Sequence, residues 1–490
     1  MKRSAKTILL FVLVALVMLA PFAPPADTSS ARPPAKPKYN VLFIISDDLR
    51  PELGCYGNSM IKTPNVDALA ARGTRFDHAY AQFPLCNPSR SSLLNGRYPT
   101  QTGVLDNNTY FRAKHPDFVT LPQYFKNNGY AALRTGKIFH GGIDDQVSWT
   151  EGGEPVDPNI INRPPSPVAS GQGARETGDE EAAPPANRPA RASASDRIVV
   201  LDGDGESFGD YKIADRAIDF LDRYKDKPFF LAVGFNKPHS PPTAPKKFFD
   251  LYDVNKIPLP VDFNTHPIAP AGFPDISIPH RNADLFIGRD SSPEQAREMI
   301  RAYWASTSFM DAQVGRVIAE LDRLKLRDNT IIVFWGDHGY HLGEKGKWSK
   351  AYSLWDVGLR VPLIIDLPGG KSQVSERVVQ LLDFYRTLAD LCGLTAPPPE
   401  IQGRSLAPLL RNPKAVWDRP AYSVVQFQGK FGESVRTERW HYVEWDGGQA
   451  GSMLLDSLAD PRELKNLSSD QSRAATVRQM KELLKQLPAQ

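Results

Sequence analysis

The sequence predicts an α/β protein with one large, mixed and mostly parallel sheet sandwiched by helices, followed by a small C-terminal α+β subdomain. Two observations support this class. Apolar runs such as residues 41–45 and 331–335 show no polar alternation, which is typical of strands covered on both faces of a parallel sheet. Amphipathic segments separate these runs as far as about residue 411, and shorter strand-like segments follow about residue 419.

Strands and helices alternate along the chain. Strands are predicted over 41–45, 130–134, 228–233, 330–335 and 361–367, and helices over 65–73, 121–128, 212–224 and 293–324. The last of these helices carries an apolar stripe from Ile300 to Leu324 at three- and four-residue spacing, which indicates a core-facing side. Strands over 421–428 and 440–445 and a helix over 472–487 are predicted for the C-terminal subdomain.

Composition excludes several classes of protein. The 59 Lys and Arg residues nearly balance the 56 Asp and Glu residues, and a net charge of +3 is unlike that of a protein that wraps nucleic acid. Three cysteines are too few for a disulfide scaffold, and an odd number leaves at least one unpaired within the chain. Cys55 and Cys392 are expected to be small buried apolar groups. The role of Cys86 depends on its sequence context.

The N-terminal segment has the pattern of an export signal. Lys2, Arg3 and Lys6 precede an apolar run over 8–20 and then small residues suited to cleavage, which predicts a signal peptide over 1–26. The run is shorter than the about 20 residues of a membrane span, so we expect a periplasmic or secreted protein without stable membrane insertion. An uncleaved anchor is the alternative.

A Pro-rich linker over 27–38 would lead into a main domain over 39–412, with the subdomain over 413–490.

Residues 151–197 interrupt the α/β pattern. This stretch is rich in Pro, Ala, Gly and charged residues and has few large apolar ones, so burial cannot offset the entropy of ordering it. We expect a flexible surface insertion, either an inert loop or a lid over a substrate.

Charged side chains follow four of the predicted buried strands. The residues of interest after these strands are Asp47 and Asp48, Lys137 and His140, His239, and Asp337 and His338, with Lys350 further along the chain. Because the functional crevice of an open α/β sheet lies beyond the carboxyl ends of its strands, we expect these side chains to meet at one site.

The acidic residues of this set suggest a metal site. Asp47 and Asp48 alone could form a turn and an N-cap, but Asp337 and His338 supply further ligands from another strand end. Predominant carboxylate oxygens favour a hard divalent cation such as Ca²⁺ or Mg²⁺ over zinc. The histidine leaves room for a softer metal.

The segment from Cys86 to Arg97 combines a thiol with a helix start. Pro88 suits the first turn of a helix and Gly96 suits its end, so Cys86 is expected just before the N-terminus, where an anion is favoured. Arg90 lies one turn inside and is expected to point back at the same place. A buried structural cysteine and a thiolate nucleophile are both compatible with this pattern.

The pattern Cys86-x-Pro88-Ser89-Arg90, followed by Gly96-Arg97, resembles the signature of the type I sulfatases, and the whole mature chain is similar to them. Further matching motifs are Asp47-Asp48, Gly136-Lys137 with His140, Lys237-Pro-His239, Gly336-Asp-His-Gly339, Gly346-x-Trp348-x-Lys350, and the tail from Leu455-Asp456 to Asp460-Pro461. The opening stretch and the Asp337-His338 pair are most similar to the iduronate-2-sulfatase branch. The resemblance implies an alkaline-phosphatase-like fold, with residues 39–412 as the catalytic domain.

The resemblance also implies a chemistry. Cys86 would be oxidised to Cα-formylglycine by a maturation enzyme, and a hydroxyl of the aldehyde hydrate would attack the sulfur of a sulfate ester. A divalent cation would be held by Asp47, Asp48, residue 86, Asp337 and His338. Arg90 and Lys137 would orient residue 86 and offset charge on the sulfuryl group. Lys350 and His239 would bind the sulfate and assist the leaving oxygen, and His140 would assist proton transfer from the hydrate.

The function expected from these residues is therefore an exported sulfatase acting on sulfated carbohydrates, with uronate 2-sulfates of glycosaminoglycan-like fragments as the expected substrates. One alternative is a phosphatase or phosphonate monoester hydrolase, because the same fold and metal cradle handle phosphoryl groups. The other is a binder of sulfated glycans with an unmodified Cys86. The partners expected are the substrate and the maturation enzyme, without nucleic acid.

Overall fold

A computed structural model of the chain describes residues 39–161, 196–395 and 397–488. The signal peptide predicted over 1–26 and the linker over 27–38 lie outside the described residues, as does most of the insertion predicted over 151–197. At the start of that insertion, Glu151 forms a β-bridge with Leu133, so the chain still lies against the main sheet there. No helix within the described ranges is long and apolar enough to cross a membrane.

The described chain alternates between strands and helices, as the sequence predicts. The strands are β1 (Asn40–Ser46), β2 (Thr74–Tyr80), β3 (Ala131–Gly136), β4 (Val199–Leu201), β5 (Phe229–Phe235), β6 (Thr243–Pro245), β7 (Thr330–Gly336), β8 (Arg360–Asp366), β9 (Gln373–Gln380), β10 (Ala421–Phe427), β11 (Lys430–Arg436), β12 (Trp440–Trp445) and β13 (Ser452–Asp456). The helices are α1 (Pro64–Ala70), α2 (Cys86–Asn95), α3 (Pro99–Thr102), α4 (Phe111–Lys114), α5 (Leu121–Asn127), α6 (Pro158–Ile161), α7 (Gly209–Tyr224), α8 (Lys246–Phe249), α9 (Pro293–Arg323), α10 (Asp356–Leu359), α11 (Phe384–Leu391), α12 (Ala407–Arg411) and α13 (Ala474–Leu484).

Seven strands form the main sheet in the order β3-β5-β1-β7-β8-β2-β9. The neighbours β3, β5, β1 and β7 run parallel, whereas β8 is antiparallel to both β7 and β2. The sheet is therefore mixed and mostly parallel, and the predicted fold class is confirmed. The strands β2 and β9, which pair in parallel, were not among the predicted elements.

Helices cover both faces of this sheet, which explains the uninterrupted apolar runs. Every residue of β1, β5 and β7 is buried. Alternate residues of β1 point to opposite layers. The ring of Phe43 packs edge-on against Phe384 of α11 at a centroid distance of 5.6 Å, whereas Ile44 packs in the core on the other face, which includes Val314 of α9.

The long helix α9 matches the predicted helix to within one residue. Ser292 caps its N-terminus, because its hydroxyl accepts from the backbone N–H of Gln295 while the Gln295 side chain accepts from Ser292 N–H. The predicted apolar stripe contains buried residues such as Ile300, Met310 and Leu321. The helix therefore packs its apolar side against the core.

The C-terminal strands form a separate antiparallel sheet in the order β10-β11-β12-β13. The strands expected near residues 421–428 and 440–445 are β10 and β12, and the terminal helix is α13. Strand β10 also contacts the main body, since Ser423 Oγ donates to the carbonyl of Ala81 at 2.6 Å and Val424 N donates to the carbonyl of Gln82 at 2.9 Å. The exact boundary at residue 413 stays a prediction.

Candidate active site

Four parallel strands end at the same edge of the main sheet. The register pairs Ser46 of β1 with Phe235 of β5 and with Gly336 of β7, and it pairs Gly136 of β3 with Gly234 of β5. The loops that leave these strands therefore start side by side. Glycine is required at residue 234, because an added Cβ would lie 2.0 Å from the carbonyl oxygen of Lys137. This close approach brings the loop after β3 next to the loop after β5.

Asp47 and Asp48 leave β1 in different directions. Asp47 is fully buried, and its Oδ2 lies 2.6 Å from Lys137 Nζ and 3.3 Å from Arg90 Nη2. Asp48 has a φ of +60°, an unusual value that Asp tolerates better than most residues. Its backbone N donates to Asp337 Oδ1 at 3.2 Å. The left-handed turn at Asp48 is thus held by a contact with the neighbouring strand end.

Cys86 is the first residue of α2, whereas the sequence placed it just before the helix. The helix ends at Gly96, whose φ of +62° is the left-handed conformation expected of a glycine cap. The Cys86 side chain is fully buried, and its Sγ lies 3.5 Å from Asp47 Oδ1 and 3.2 Å from His338 Nε2. The thiol therefore lies between side chains that follow two different strands.

Asp337 and His338 follow β7 directly. Nδ1 of His338 lies 3.0 Å from the carbonyl oxygen of Gly339. Because a carbonyl only accepts, Nδ1 carries a proton, and in the neutral ring Nε2 presents its lone pair. Nε2 lies 3.4 Å from Asp337 Oδ2 and 3.6 Å from Asp48 Oδ1. The imidazole is thus oriented as a potential ligand beside two carboxylates.

These side chains fit a divalent cation. One ligand atom from each of Asp47, Cys86, Asp337 and His338 lies within 4.8 Å of the others, and Asp48 belongs to an overlapping group of this kind. Burial raises the pKa of Asp48, and Asp47 raises it further, against the opposing effect of neighbouring cationic groups. Buried carboxylates need positive charge beside them. A hard divalent cation would supply such charge and suits the carboxylate-rich donor set.

Arg90 joins three of the loops that form the site. Its Nε donates to Asp337 Oδ2 at 2.9 Å, and Nη1 donates to the carbonyl oxygens of Lys137 at 2.5 Å and Ile138 at 3.1 Å. Burial acts to lower the pKa of Arg90, but Asp337 and Asp47 raise it overall. The guanidinium is therefore a permanent charge on one side of Cys86.

Lys350 and His239 contact each other beside Asp48, and His239 also belongs to the group of potential ligand atoms that contains Asp47, Asp48 and Cys86. Lys350 Nζ lies 3.0 Å from Asp48 Oδ1 and 3.3 Å from His239 Nε2. Nδ1 of His239 donates to the carbonyl oxygen of Ser240 at 2.8 Å, so its Nε2 faces the lysine. Burial acts to lower the pKa of Lys350, but Asp48 and other nearby anions raise it overall. The ammonium group is therefore retained in a buried position.

The structure brings the candidate residues together at this edge of the sheet, and His140 is buried in the loop after β3. Sequence reasoning missed Asp284, a buried carboxylate whose Oδ2 lies 3.8 Å from Lys350 Nζ. Burial acts to raise the pKa of Asp284, but Lys350 and His239 lower it overall. No motif contains this residue.

Cys55 and Cys392 are free thiols, the first half-buried and the second buried.

The overall fold first defines a broad class. A phosphonate monoester hydrolase of Agrobacterium radiobacter superposes with a TM-score of 0.71, over 92% of this chain and 95% of the other, at 24% sequence identity. The protein therefore has the alkaline-phosphatase-like fold, in which the large mixed sheet is accompanied by a small antiparallel C-terminal sheet.

Sequence comparison then defines the family. The Sulfatase family profile matches residues 39–394, and the profile described as N-sulphoglucosamine sulphohydrolase, C-terminal, matches residues 343–490. Iduronate 2-sulfatase from Mus musculus is 34% identical over 78% of this chain and 74% of its own length. The enzyme of that name from Homo sapiens is 36% identical over 73% and 70%. The chain belongs to the sulfatase family and is a type I sulfatase of the iduronate-2-sulfatase-like branch.

Proposed function

We propose that this protein is an exported sulfatase that removes sulfate from uronate 2-sulfates in glycosaminoglycan-like fragments. Membership of the sulfatase family supports sulfate ester hydrolysis, and two relatives named iduronate 2-sulfatase support the substrate class. The apolar run over 8–20 after basic residues supports export.

One geometric observation carries the proposal. The Cys86 sulfur lies within 3.5 Å of both Asp47 and His338, with the cations Arg90 and Lys137 next to Asp47. A group at this position would touch any bound cation and would face an anionic ester. We therefore assign Cys86 as the residue that a maturation enzyme oxidises to Cα-formylglycine, whose hydrate supplies the hydroxyl nucleophile.

The cation would be held by Asp47, Asp48, residue 86, Asp337 and His338. We propose Ca²⁺, with Mg²⁺ as the alternative, because carboxylate oxygens dominate the donor set. When bound, the ion supplies positive charge that polarises a sulfate oxygen and favours the deprotonated nucleophile.

The remaining residues act around this centre. Arg90 and Lys137 orient residue 86 and offset negative charge on the sulfuryl group. Lys350 and His239, in contact with each other, bind the sulfate and assist the departing oxygen. His140, buried in the loop after β3, accepts the proton that the hydrate releases. Different residues thus activate the nucleophile and release the alcohol.

Mass spectrometry and turnover together test this function. The tryptic peptide that carries residue 86 should have the mass of the aldehyde form in protein from a host with the maturation enzyme. That protein should hydrolyse an aryl sulfate faster than the matching aryl phosphate, and Cys86→Ala should abolish turnover while leaving thermal unfolding cooperative. A strong phosphate preference would identify a phosphatase or phosphonate monoester hydrolase. An intact thiol together with absent turnover would identify a binder of sulfated glycans.

The substrate class needs its own test. Defined disaccharides sulfated at the 2-, 4- or 6-position, compared at equal concentration, should lose sulfate most rapidly when it is on the uronate 2-hydroxyl. Sulfatase activity without turnover of any 2-sulfated uronate would contradict the substrate assignment alone.

A further inference from the structure

Asp284 is a buried carboxylate beside the site, in the loop between α8 and α9. Its Oδ2 lies 3.8 Å from Lys350 Nζ, and 7% of the residue is exposed. The two groups of potential metal ligands found among the described residues do not include it. Asp284 therefore lies beside Lys350 without belonging to the acidic cluster around Cys86.

Both carboxylate oxygens of Asp284 accept hydrogen bonds. Tyr340 OH donates to Oδ2 at 2.6 Å, and Ser240 Oγ donates to Oδ1. The carbonyl of Ser240 in turn accepts from Nδ1 of His239. Asp284 is thus linked to His239 through one residue and attracts Lys350 directly.

Lys350 lies between two carboxylates. Its Nζ is 3.0 Å from Asp48 on one side and 3.8 Å from Asp284 on the other. Asp48 belongs to the proposed cation cluster, so its charge is shared with an ion when that ion is bound. Asp284 then provides the negative charge that keeps Lys350 on the side of His239.

We propose that Asp284 is a positioning residue whose carboxylate holds Lys350, and through Ser240 also His239, against the departing oxygen of the ester. The inference rests on the proposed function, which assigns Lys350 and His239 to that oxygen. Asp284 itself does not contact the sulfate; it acts on the two groups that do.

A charge effect and a packing effect can be separated at this residue. Asn is nearly isosteric with Asp, and its amide oxygen can still accept a hydrogen bond from Tyr340 or Ser240. It carries no charge to attract Lys350. Glu restores the charge with a longer side chain. Asp284→Asn should therefore remove the positioning effect, and Asp284→Glu should recover part of it.

The test compares sulfate esters with different leaving groups. The matured wild type and Asp284→Asn are assayed on 4-nitrophenyl, phenyl and 4-methoxyphenyl sulfate and on a 2-sulfated uronate disaccharide. Assistance to the departing oxygen matters most for poor leaving groups, and general acid catalysis contributes about 10²-fold or more. We expect kcat of Asp284→Asn to fall about 10²-fold on the disaccharide but only a few-fold on 4-nitrophenyl sulfate, with a smaller change in KM.

Asp262→Asn is the matched control. Asp262 is another mostly buried carboxylate, and it pairs with Lys345 at 2.6 Å in the same chain segment as Lys350. The Asp262→Asn variant should keep the wild-type dependence of kcat on the leaving group. Ser240→Ala should lower kcat less than Asp284→Asn does, and again most strongly for poor leaving groups. If Asp284→Asn fails to fold, Ser240→Ala still tests the inference.

Two outcomes would overturn the inference. One is an equal loss on all four esters in Asp284→Asn, which indicates a packing role. The other is an unchanged dependence on the leaving group in both Asp284→Asn and Ser240→Ala. If the matured wild type hydrolyses none of the four esters, the proposed function fails, and the inference fails with it. Wild-type turnover therefore distinguishes the two failures.

Discussion

The Sγ atom of Cys86 lies 3.2 Å from Nε2 of His338. The other ring nitrogen of His338 donates to the carbonyl of Gly339, so in the neutral ring the lone pair of Nε2 is on the side of the thiol. A backbone carbonyl that fixes the tautomer is a common arrangement for a histidine that binds a metal. This contact connects the residue that we expect to be modified with one that we expect to hold the cation.

The first prediction concerns removal of the cation. Protein treated with a chelator should unfold at a lower temperature, and Ca²⁺ should restore the midpoint, because the ion binds the folded acidic cluster and not the unfolded chain. At about one hundred times the dissociation constant the gain is about 2.7 kcal/mol. Differential scanning fluorimetry with Ca²⁺ or Mg²⁺ measures the shift without any assay of activity.

Two carboxylate variants act as controls for that shift. Asp337→Asn removes a proposed ligand and should abolish the response to Ca²⁺. Asp311→Asn alters a buried carboxylate that instead accepts from the backbone N–H groups of Asn65 and Val66, and it should keep the response. A wild-type midpoint that ignores both ions would contradict the cation site.

The second prediction concerns Arg90, whose side chain is fully buried between Asp47 and Asp337. Arg90→Gln would leave these two carboxylates without their shared guanidinium. Breaking a buried ion pair in this way costs about 3–5 kcal/mol, because the remaining charge stays buried. Urea unfolding of the protein without added cation should show a decrease of this size in the free energy of unfolding.

An exposed arginine provides the comparison. The Arg223 side chain is 46% exposed and pairs with Glu151 at 2.7 Å. Arg223→Gln should leave the free energy of unfolding almost unchanged, since water screens the pair. An equal decrease in the free energy of unfolding in the two variants would show that burial of Arg90 between two acids does not cause the destabilisation.

The fold was predictable where the information was local. The parallel strands β1, β3, β5 and β7 have apolar sequences that need no partner to be recognised, and α9 has a complete helical stripe. Strand β2 was not recognised, because Arg75, Asp77 and His78 interrupt its apolar residues. It is placed by pairing with β8 and β9, which lie about 300 residues away in the sequence. The sequence of β2 alone does not reveal this pairing.

The candidate site likewise contains some residues that the sequence predicts and others that only the folded chain brings together. The residues at strand ends were predictable because parallel strands deliver their carboxyl ends to one edge. Asp284 lies in a long loop outside any strand, and its relation to Lys350 arises only from the folded chain. His441 matched no motif either, yet it lies in a buried group of charges with Glu463 and Arg436. A network of this kind depends on tertiary contacts that a single sequence does not display.

The third prediction concerns that buried group, which joins the C-terminal sheet to the main body. Glu463 Oε1 lies 2.8 Å from Arg436 Nη2 and 2.7 Å from His441 Nδ1, and Oε2 accepts from the backbone N of Asp356 at 2.8 Å. Burial acts to raise the pKa of Glu463, but His441 and Arg436 hold it well below its usual range. Glu463→Gln should therefore lower the free energy of unfolding by about 3 kcal/mol near neutral pH.

The depressed pKa of Glu463 determines how its contribution to the free energy of unfolding changes with pH. Because the pKa of Glu463 is depressed in the folded state, its stabilisation is present above the unfolded value near 4.5 and is lost as the pH falls further toward the folded value. Burial also lowers the pKa of His441, so the unfolded chain binds a proton at this residue more readily than the folded chain does. Urea unfolding at several pH values should show the difference between wild type and Glu463→Gln shrinking below about pH 4.5.

A glutamate on the C-terminal sheet should show the opposite dependence of stability on pH. Glu433 lies directly across from Glu444 on the neighbouring strand, and burial together with this like charge raises its pKa. Near neutral pH, Glu433→Gln removes repulsion and should leave stability unchanged or slightly higher, with the wild type gaining on the variant as the pH falls. If Glu463→Gln and wild type instead lose stability in parallel throughout the acid range, the Glu463 carboxylate does not stabilise the junction through its charge.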